Sequence, residues 1–290
     1  PDDGNVRGIV QIVHGMAEYV ERYENLAEFL TKRGILVTGE DHLGHGKSVS
    51  EGGSFGYFCE QDPATVVVRD VHRLKKITEE QYPQVPYIIL GHSMGSFIAR
   101  NYLCRYGSGI GGAVIVGTGM QPAGLIFASK AMAGIQKLFC GSKHVSHFID
   151  KAAFGGYNKR IDSPRTSSDW LSRNTENVDR YIEDELCGFT FTVNGFQTLF
   201  ELIRRLQKQE NLEKVPQNLP ILMVSGAEDP VGDYGKGVHK ACDSLKRAGV
   251  KNITVKLYEN DRHELLNEDD AEVAMEDIWQ WICKEIPGIA

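Results

Sequence analysis

The sequence predicts a layered α/β fold: a central, mostly parallel sheet with helices on both faces, interrupted once by a helical insertion. Three observations point to it. Short apolar runs alternate with segments of helical periodicity, the pattern that a parallel sheet and its crossover helices impose. The chain has 290 residues, 41% hydrophobic and 24% charged, enough for one large domain with a sizeable insertion. The alternation stops between about Met120 and about Pro216 and then resumes.

Gly8 to Val13 (Gly-Ile-Val-Gln-Ile-Val) reads as the first strand and ends at His14-Gly15-Met16-Ala17-Glu18. Tyr23, Leu26, Ala27 and Leu30 fall on one helical face, with Gly34 suited to a C-terminal cap. Ile35 to Thr38 is the next strand, running into the turn-rich Glu40–Ser48. Val67, Val68, Val71, Leu74 and Ile77 mark a helix that ends before Pro83. Tyr87 to Leu90 is bulky and apolar, as a strand covered on both faces should be. Phe97, Ile98, Tyr102 and Leu103 then recur at helical spacing, and Ala113 to Val116 is another buried strand.

Inside the interruption the sequence predicts helices over Leu125–Phe139, from Ser168-Asp169 toward Leu186, and from Thr198 to Gln209, with no convincing buried strand. The alternation returns with a strand at Ile221–Val224, a helix around Val238–Arg247, a strand at Ile253–Tyr258 and a closing helix through Val273, Ile278, Trp281 and Ile282. The expected organisation is therefore a core of residues 1–119 and 217–290 carrying a helical cap of residues 120–216.

In such sheets, sites lie beyond the carboxyl ends of the strands. Four strand ends carry chemistry: His14-Gly15-Met16, Ser93, Glu228-Asp229-Pro230 and Asp261-Arg262-His263. Gly91-His92-Ser93-Met94-Gly95 fits the G-x-S-x-G nucleophile elbow, with a strand before it and a helix after it. The turn lifts the serine hydroxyl out of the sheet, and the helix that follows turns its free N–H groups toward developing negative charge.

A serine hydroxyl needs a base, and the base needs an orienting acid. The chain order Ser, acid, His is met by Ser93 as nucleophile, Asp229 as orienter and His263 as general base and then acid. Glu228, Asp233 and Asp261 compete for the acid role; Asp229 sits closest to the strand end, with Pro230 fixing the turn. The backbone N–H groups of Met94 and Met16 are the candidate donors to an oxyanion.

The net charge of −7 and the lack of a basic tract argue against a nucleic-acid partner. No apolar run approaches a bilayer-spanning length. The polar, turn-like Pro1-Asp2-Asp3-Gly4 does not read as a secretion signal. Six scattered cysteines without a C-x-x-C pair suit a reducing compartment, so a cytoplasmic location is expected. There is no dinucleotide fingerprint or phosphate loop. His42 and His45 share one loop without a third ligand at a suitable spacing. No cofactor and no metal are expected.

His14-Gly15-Met16-Ala17-Glu18 with Arg22-Tyr23, Asp41-His42-Leu43-Gly44-His45-Gly46-Lys47-Ser48, the Ser93 elbow, Asp229 and His263 together resemble the monoacylglycerol lipase and lysophospholipase branch of the α/β-hydrolases. That branch, of the Hydrolase_4 type, is also filed with the S33 serine aminopeptidases. Trp170-Leu171-Ser172-Arg173 and Leu186-Cys187-Gly188-Phe189 resemble its bacterial members. The resemblance implies the same triad and oxyanion donors, a helical cap, and head-group contacts from Glu18, Arg22 and His92. Glu18 and Arg22 also read simply as an i, i+4 ion pair on a helix. The resemblance further implies two strands ahead of Gly8. Because an unpaired Gly8–Val13 edge would invite pairing with other chains, a segment missing from the chain as given is expected rather than a trimmed sheet.

The expected activity is serine ester hydrolysis on monoacylglycerol-like or other small esters, with at most transient contact of the cap with lipid. Apolar residues of the first cap helix (Leu125, Ile126, Phe127, Met132, Ile135, Leu138, Phe139) and an aromatic cluster (Phe189, Phe191, Phe196, Phe200, with Leu199) suit an acyl tunnel. Two other readings stay open. One is an aminopeptidase or amidase, with Glu183, Asp184 or Glu185 holding a substrate amine; the other is a catalytically silent binding module.

Overall fold

A computed structural model describes residue 1 and residues 4–289. Asp2 and Asp3, in the opening read as turn-like, and Ala290 lie outside the described residues. Strands β1 (Gly8–Val13), β2 (Ile35–Gly39), β3 (Tyr87–His92), β4 (Gly112–Val116), β5 (Ile221–Gly226) and β6 (Ile253–Tyr258) form one sheet in the order β2-β1-β3-β4-β5-β6. Every neighbouring pair is parallel. The strands therefore need crossovers, and helices supply them: α1 (Glu24–Thr31), α2 (Pro63–Gln81), α3 (Met94–Tyr106) and α9 (Lys236–Arg247), with the insertion joining β4 to β5; α10 (Ala271–Glu285) follows β6 and closes the chain against the sheet.

Alternation along the strands sorts side chains into two layers. Ile9, Val13, Ile89, Ile115 and Met223 pack with α2, α3 and α9; Val10, Ile12, Leu90, Val114 and Val224 pack with α1 and α10. Gln11, a polar residue buried in β1, is satisfied: Tyr87 Oη donates to its Oε1 (2.7 Å) and its Nε2 donates to the Val71 carbonyl (3.0 Å). The sheet edge is not where an exposed Gly8–Val13 strand would put it. That strand pairs with both β2 and β3, and β2 is the edge.

Five helices lie between β4 and β5: α4 (Ala123–Cys140), α5 (His147–Phe154), α6 (Thr175–Glu183), α7 (Val193–Leu206) and the single turn α8 (Gln209–Leu212). Among the described residues of this segment the only β pairing is an isolated antiparallel bridge, Val145 to Thr192. The first expected helix is present. The expected helix from Ser168 toward Leu186 is broken: a 3-10 turn at Asp169–Leu171 stops, Ser172 is extended, and α6 begins anew at Thr175. Asn174 starts it by accepting the Asn177 N–H through its side chain (3.0 Å), while Ser172, Arg173 and Asn174 turn to a distant carboxylate, Glu268. Helix α7 begins earlier than the periodicity suggests, at a Thr192 cap whose hydroxyl accepts the Gly195 N–H (3.2 Å). The short α5, capped by Ser146, lies in a stretch for which the sequence reading proposes no element.

Candidate active site

The register aligns the carboxyl ends of the central strands. Val13 stands beside Gly91, His92 beside Val116, and Val116 beside Val224. The chain then crosses from strand to strand: Ser93 N–H donates to the Val116 carbonyl and Gly117 N–H to the Val224 carbonyl, both at 3.0 Å. This brings the loops after β1, β3, β4 and β5 to one rim.

Ser93 sits on that rim with φ 54° and ψ −120°, a region that a side chain enters only under strain, at a cost of roughly 1–3 kcal/mol. The flanking glycines explain how so sharp a turn fits. A Cβ on Gly95 would lie 1.9 Å from the Val13 carbonyl oxygen, and one on Gly91 would lie 2.4 Å from the Gly95 carbonyl oxygen. Strand β1, strand β3 and helix α3 can thus close on each other only without side chains at these two positions.

His263 follows β6. Its Nδ1 lies 3.0 Å from Oδ2 of Asp229, which is fully buried after β5. The same Oδ2 accepts the Ser225 hydroxyl (3.1 Å), and Oδ1 accepts the Val231 N–H (2.8 Å). An ionised carboxylate can only accept, so Nδ1 carries the proton and Nε2 is left free to receive one. The competing acids stand elsewhere. Glu228 is half-exposed beside Arg262 (4.0 Å). Asp261 is buried with its carboxyl pushed up to about 6, by burial and then by the charges of Asp270 and Glu268. Asp233 reaches the cavity wall, but His263 bonds Asp229.

A cavity of about 820 Å³ opens over this rim, and Ser93, His263, Met16 and Met94 all line it. The loop of Met16 packs directly on the serine: a Cβ on Gly15 would be 3.1 Å from Ser93 Cβ. Among the described residues, neither the Met16 nor the Met94 N–H has an acceptor. Leu125, Ile126, Met132, Phe189, Leu199 and Phe200 line the cavity as well. Phe191 and Phe196 instead fill the core, while Phe127, Ile135, Leu138 and Phe139 point to the surface.

Glu18 and His92 form one end of the cavity, with a third residue that sequence reasoning missed, Glu264. Glu18 Oε1 accepts the Gly15 N–H (2.5 Å) and the Tyr23 hydroxyl (2.7 Å), and lies 3.3 Å from His92 Nδ1. Arg22 is not among the lining residues. Its guanidinium bonds Glu18 (3.0 Å), both oxygens of Glu264 (2.7 and 2.8 Å) and Asn177 (3.2 Å). The i, i+4 ion pair does form, but Glu18 lies in a loop and only Arg22 in a 3-10 turn.

Burial alone would raise both carboxyls. The His92 hydrogen bond and charge, with Arg22, hold Glu18 well below its usual range, and the charge and hydrogen bond of Arg22 lower Glu264. Burial opposes the His92 imidazolium, but the hydrogen bond and charge of Glu18 raise its pKa above the ordinary value. The signal that could have marked Glu264 is its place next to His263, a charged residue just ahead of the apolar Leu265-Leu266.

His14, His42 and His45 come together behind the loop, with ring centroids 4.0 Å (His14–His42) and 5.2 Å (His14–His45) apart. Burial lowers all three, His42 to about 4 and His45 to about 3. They are neutral packing and hydrogen-bonding groups: the His42 N–H donates to His14 Nε2 (2.9 Å). Among the described residues, no group of three or more His, Cys, Asp or Glu is arranged to hold a metal ion.

Residues 4–270 match the family model described as Hydrolase_4, serine aminopeptidase S33. The chain belongs to this family. It is 27% identical over 285 residues to a monoacylglycerol lipase of Mycolicibacterium smegmatis, covering 98% of this chain and 91% of that one. It is 28% identical over 267 residues to the monoglyceride lipase of Rattus norvegicus, covering 91% and 78%. Among solved structures, a thermostable carboxyl esterase from Bacillus coagulans in complex with glycerol superposes with a TM-score of 0.91 at 30% identity, covering 99% of this chain and 91% of that one. The fold is the α/β-hydrolase fold.

Proposed function

We propose that the protein is a serine carboxylester hydrolase acting on monoacylglycerol-like esters through an acyl-enzyme on Ser93. The observation that carries this reading is the buried Asp229–His263 pair, whose imidazole opens into the same largely apolar cavity as Ser93. His263 Nε2 takes the Ser93 proton as Oγ adds to the ester carbonyl. The Met16 and Met94 N–H groups stabilise the oxyanion, each such donor contributing about 2.7–4 kcal/mol to the transition state. His263 then protonates the leaving alcohol, activates water, and the acid departs. Leu125, Met132 and Phe200 hold the acyl chain. Glu18 and His92 face the alcohol's hydroxyls, His92 from a ring whose Nε2 also lies 3.1 Å from the His263 carbonyl, and Arg22 fixes Glu18 from behind. Residues 120–216 act as the cap, on a core of residues 1–119 and 217–290.

The family description favours one rival, an aminopeptidase. The acidic residues 183–185 give it no support: none of them lines the cavity, and Asp184 is occupied by the Tyr19 hydroxyl (2.8 Å) and the Leu186 N–H (2.8 Å). A 2-monoacylglycerol or a p-nitrophenyl ester should be turned over at least a hundredfold faster, by kcat/KM, than an aminoacyl p-nitroanilide. The reverse order would assign the amidase. A fluorophosphonate probe should label Ser93, and failure to do so would leave a silent binding module.

The proposal includes a cytoplasmic protein that touches lipid transiently. Among the described residues no helix is long and apolar enough to cross a membrane. The six cysteines are unpaired. Helix α4 exposes Phe127 (77%), Leu138 (84%) and Phe139 (84%), a surface that suits an interface. The wild type should co-sediment with liposomes, and Phe127→Ser/Leu138→Ser/Phe139→Ser should not, with turnover of a dispersed short ester unchanged. Absence of wild-type binding, with equal activity on dispersed and micellar substrate, would remove the lipid contact.

A further inference from the structure

The loop carrying His263 is held from both sides by the segment at residues 169–174. On one side, the Arg262 N–H donates to Oε1 of Glu268 (2.8 Å). The other oxygen of the same carboxylate, Oε2, accepts the Ser172 hydroxyl (2.7 Å), the Arg173 N–H (2.8 Å) and the Asn174 N–H (3.3 Å). The Arg262 guanidinium reaches back to the carbonyls of Asp169 (2.8 Å) and Ser172 (3.1 Å). On the other side, the Glu264 N–H donates to the Leu171 carbonyl (2.6 Å). Between them the Trp170 ring lies against the His263 ring, centroids 5.1 Å apart. Glu268 is 5% exposed, and its four partners are three backbone N–H groups and one hydroxyl, so it serves as an acceptor rather than as half of an ion pair.

We propose that Glu268 is a positioning residue: it ties the 169–174 segment to the backbone beside His263 and so sets the distance and angle at which the imidazole meets Ser93. This rests on the reading of Ser93, Asp229 and His263 as a triad. Proton transfer from Ser93 is steep in geometry, and a displacement of about 1 Å commonly costs on the order of a hundredfold in rate. Glu268 acts on the base and not on the substrate, so its loss should be felt in kcat. The clamp also makes the seating of this segment and the position of the base one variable. Lifting the insertion at this end would therefore also move His263.

The test compares Glu268→Gln and Ser172→Ala with the wild type on a soluble p-nitrophenyl ester, measuring kcat, KM, Tm and the rate of fluorophosphonate labelling of Ser93. Glu268→Gln keeps the size of the side chain but replaces one acceptor oxygen with a donor. It should lower kcat on the order of 10- to 100-fold with KM within twofold, and labelling, which needs the same proton transfer, should slow in step. Ser172→Ala removes one contact from the segment's side only and should show the same split at smaller size. Combined with Glu268→Gln it should add little, because both act on one clamp. Wild-type kcat in both variants, or a loss matched by a fall in Tm and a rise in KM, overturns the proposal. Ser93→Ala separates the two levels: if it is inactive while Glu268→Gln is fully active, only the clamp fails, whereas an active Ser93→Ala removes the triad reading itself.

Discussion

Ser93→Ala should lower kcat for ester hydrolysis by roughly 10⁶-fold, the scale on which a hydrolase loses its rate when the nucleophile of a triad is removed. What remains would come from the oxyanion donors and substrate binding, which survive the change. The substitution is clean for a structural reason. Ser93 holds φ 54°, and alanine carries the same Cβ into that strained region, so the backbone cost is nearly unchanged. The bonds that fix the turn are made by main chain: Ser93 N–H to Val116, and the Ser96 N–H and hydroxyl to the Ser93 carbonyl (2.9 and 2.5 Å). Tm should therefore stay within a few degrees of wild type. Wild-type enzyme quenched early in turnover should carry the acyl mass on the peptide containing Ser93. Turnover by the alanine variant within tenfold of wild type, or an adduct on another residue, would sink the assignment.

The parts of the fold that were legible in the sequence are those whose cause is local. Strands β1, β3, β4 and β5 are buried on both faces and read as apolar runs, and the glycines of the elbow mark a close approach that Gly91 and Gly95 make measurable. The break at Ser172–Asn174 was not legible, because what stops the helix is Glu268, some 95 residues away along the chain. Helix α5 has only eight residues and rests on a cap at Ser146, too short for periodicity to separate from a loop.

At the site the same division holds. Strand ends pointed to Ser93, His263, Met16 and Met94, and these do line one cavity. Among four acids the end of β5 favours Asp229; what no local pattern supplies is the direction of the imidazole, whose Nδ1 lies 3.0 Å from Asp229 Oδ2. Glu18 and Arg22 read as a local pair, yet Arg22 spends most of its donors on Glu264 and Asn177, partners that only the tertiary fold supplies.

Asp229→Asn should cost about 10⁴-fold in kcat with little change in Tm, and the hydrogen bonds around the carboxylate say why. Asparagine must place its NH₂ group at one of two positions. At Oδ1 it would face the Val231 N–H, two donors meeting at 2.8 Å, and a backbone N–H cannot turn away. At Oδ2 it faces the Ser225 hydroxyl, which can rotate to accept, and His263 Nδ1. The second arrangement satisfies every group provided that Nδ1 gives up its proton. The imidazole then carries it on Nε2, the nitrogen that must receive the proton of Ser93, and the base is disabled without being displaced. Ser225→Ala is the contrasting variant: it removes one donor to Asp229 but leaves the acceptor facing Nδ1, so the loss should be about tenfold or less. Nitrogen-15 chemical shifts of the imidazole should show the proton on Nδ1 in the wild type and on Nε2 in Asp229→Asn. If Asp229→Asn keeps kcat within tenfold, or if Asp233→Asn or Asp261→Asn shows the ten-thousandfold loss instead, the orienting acid is another residue.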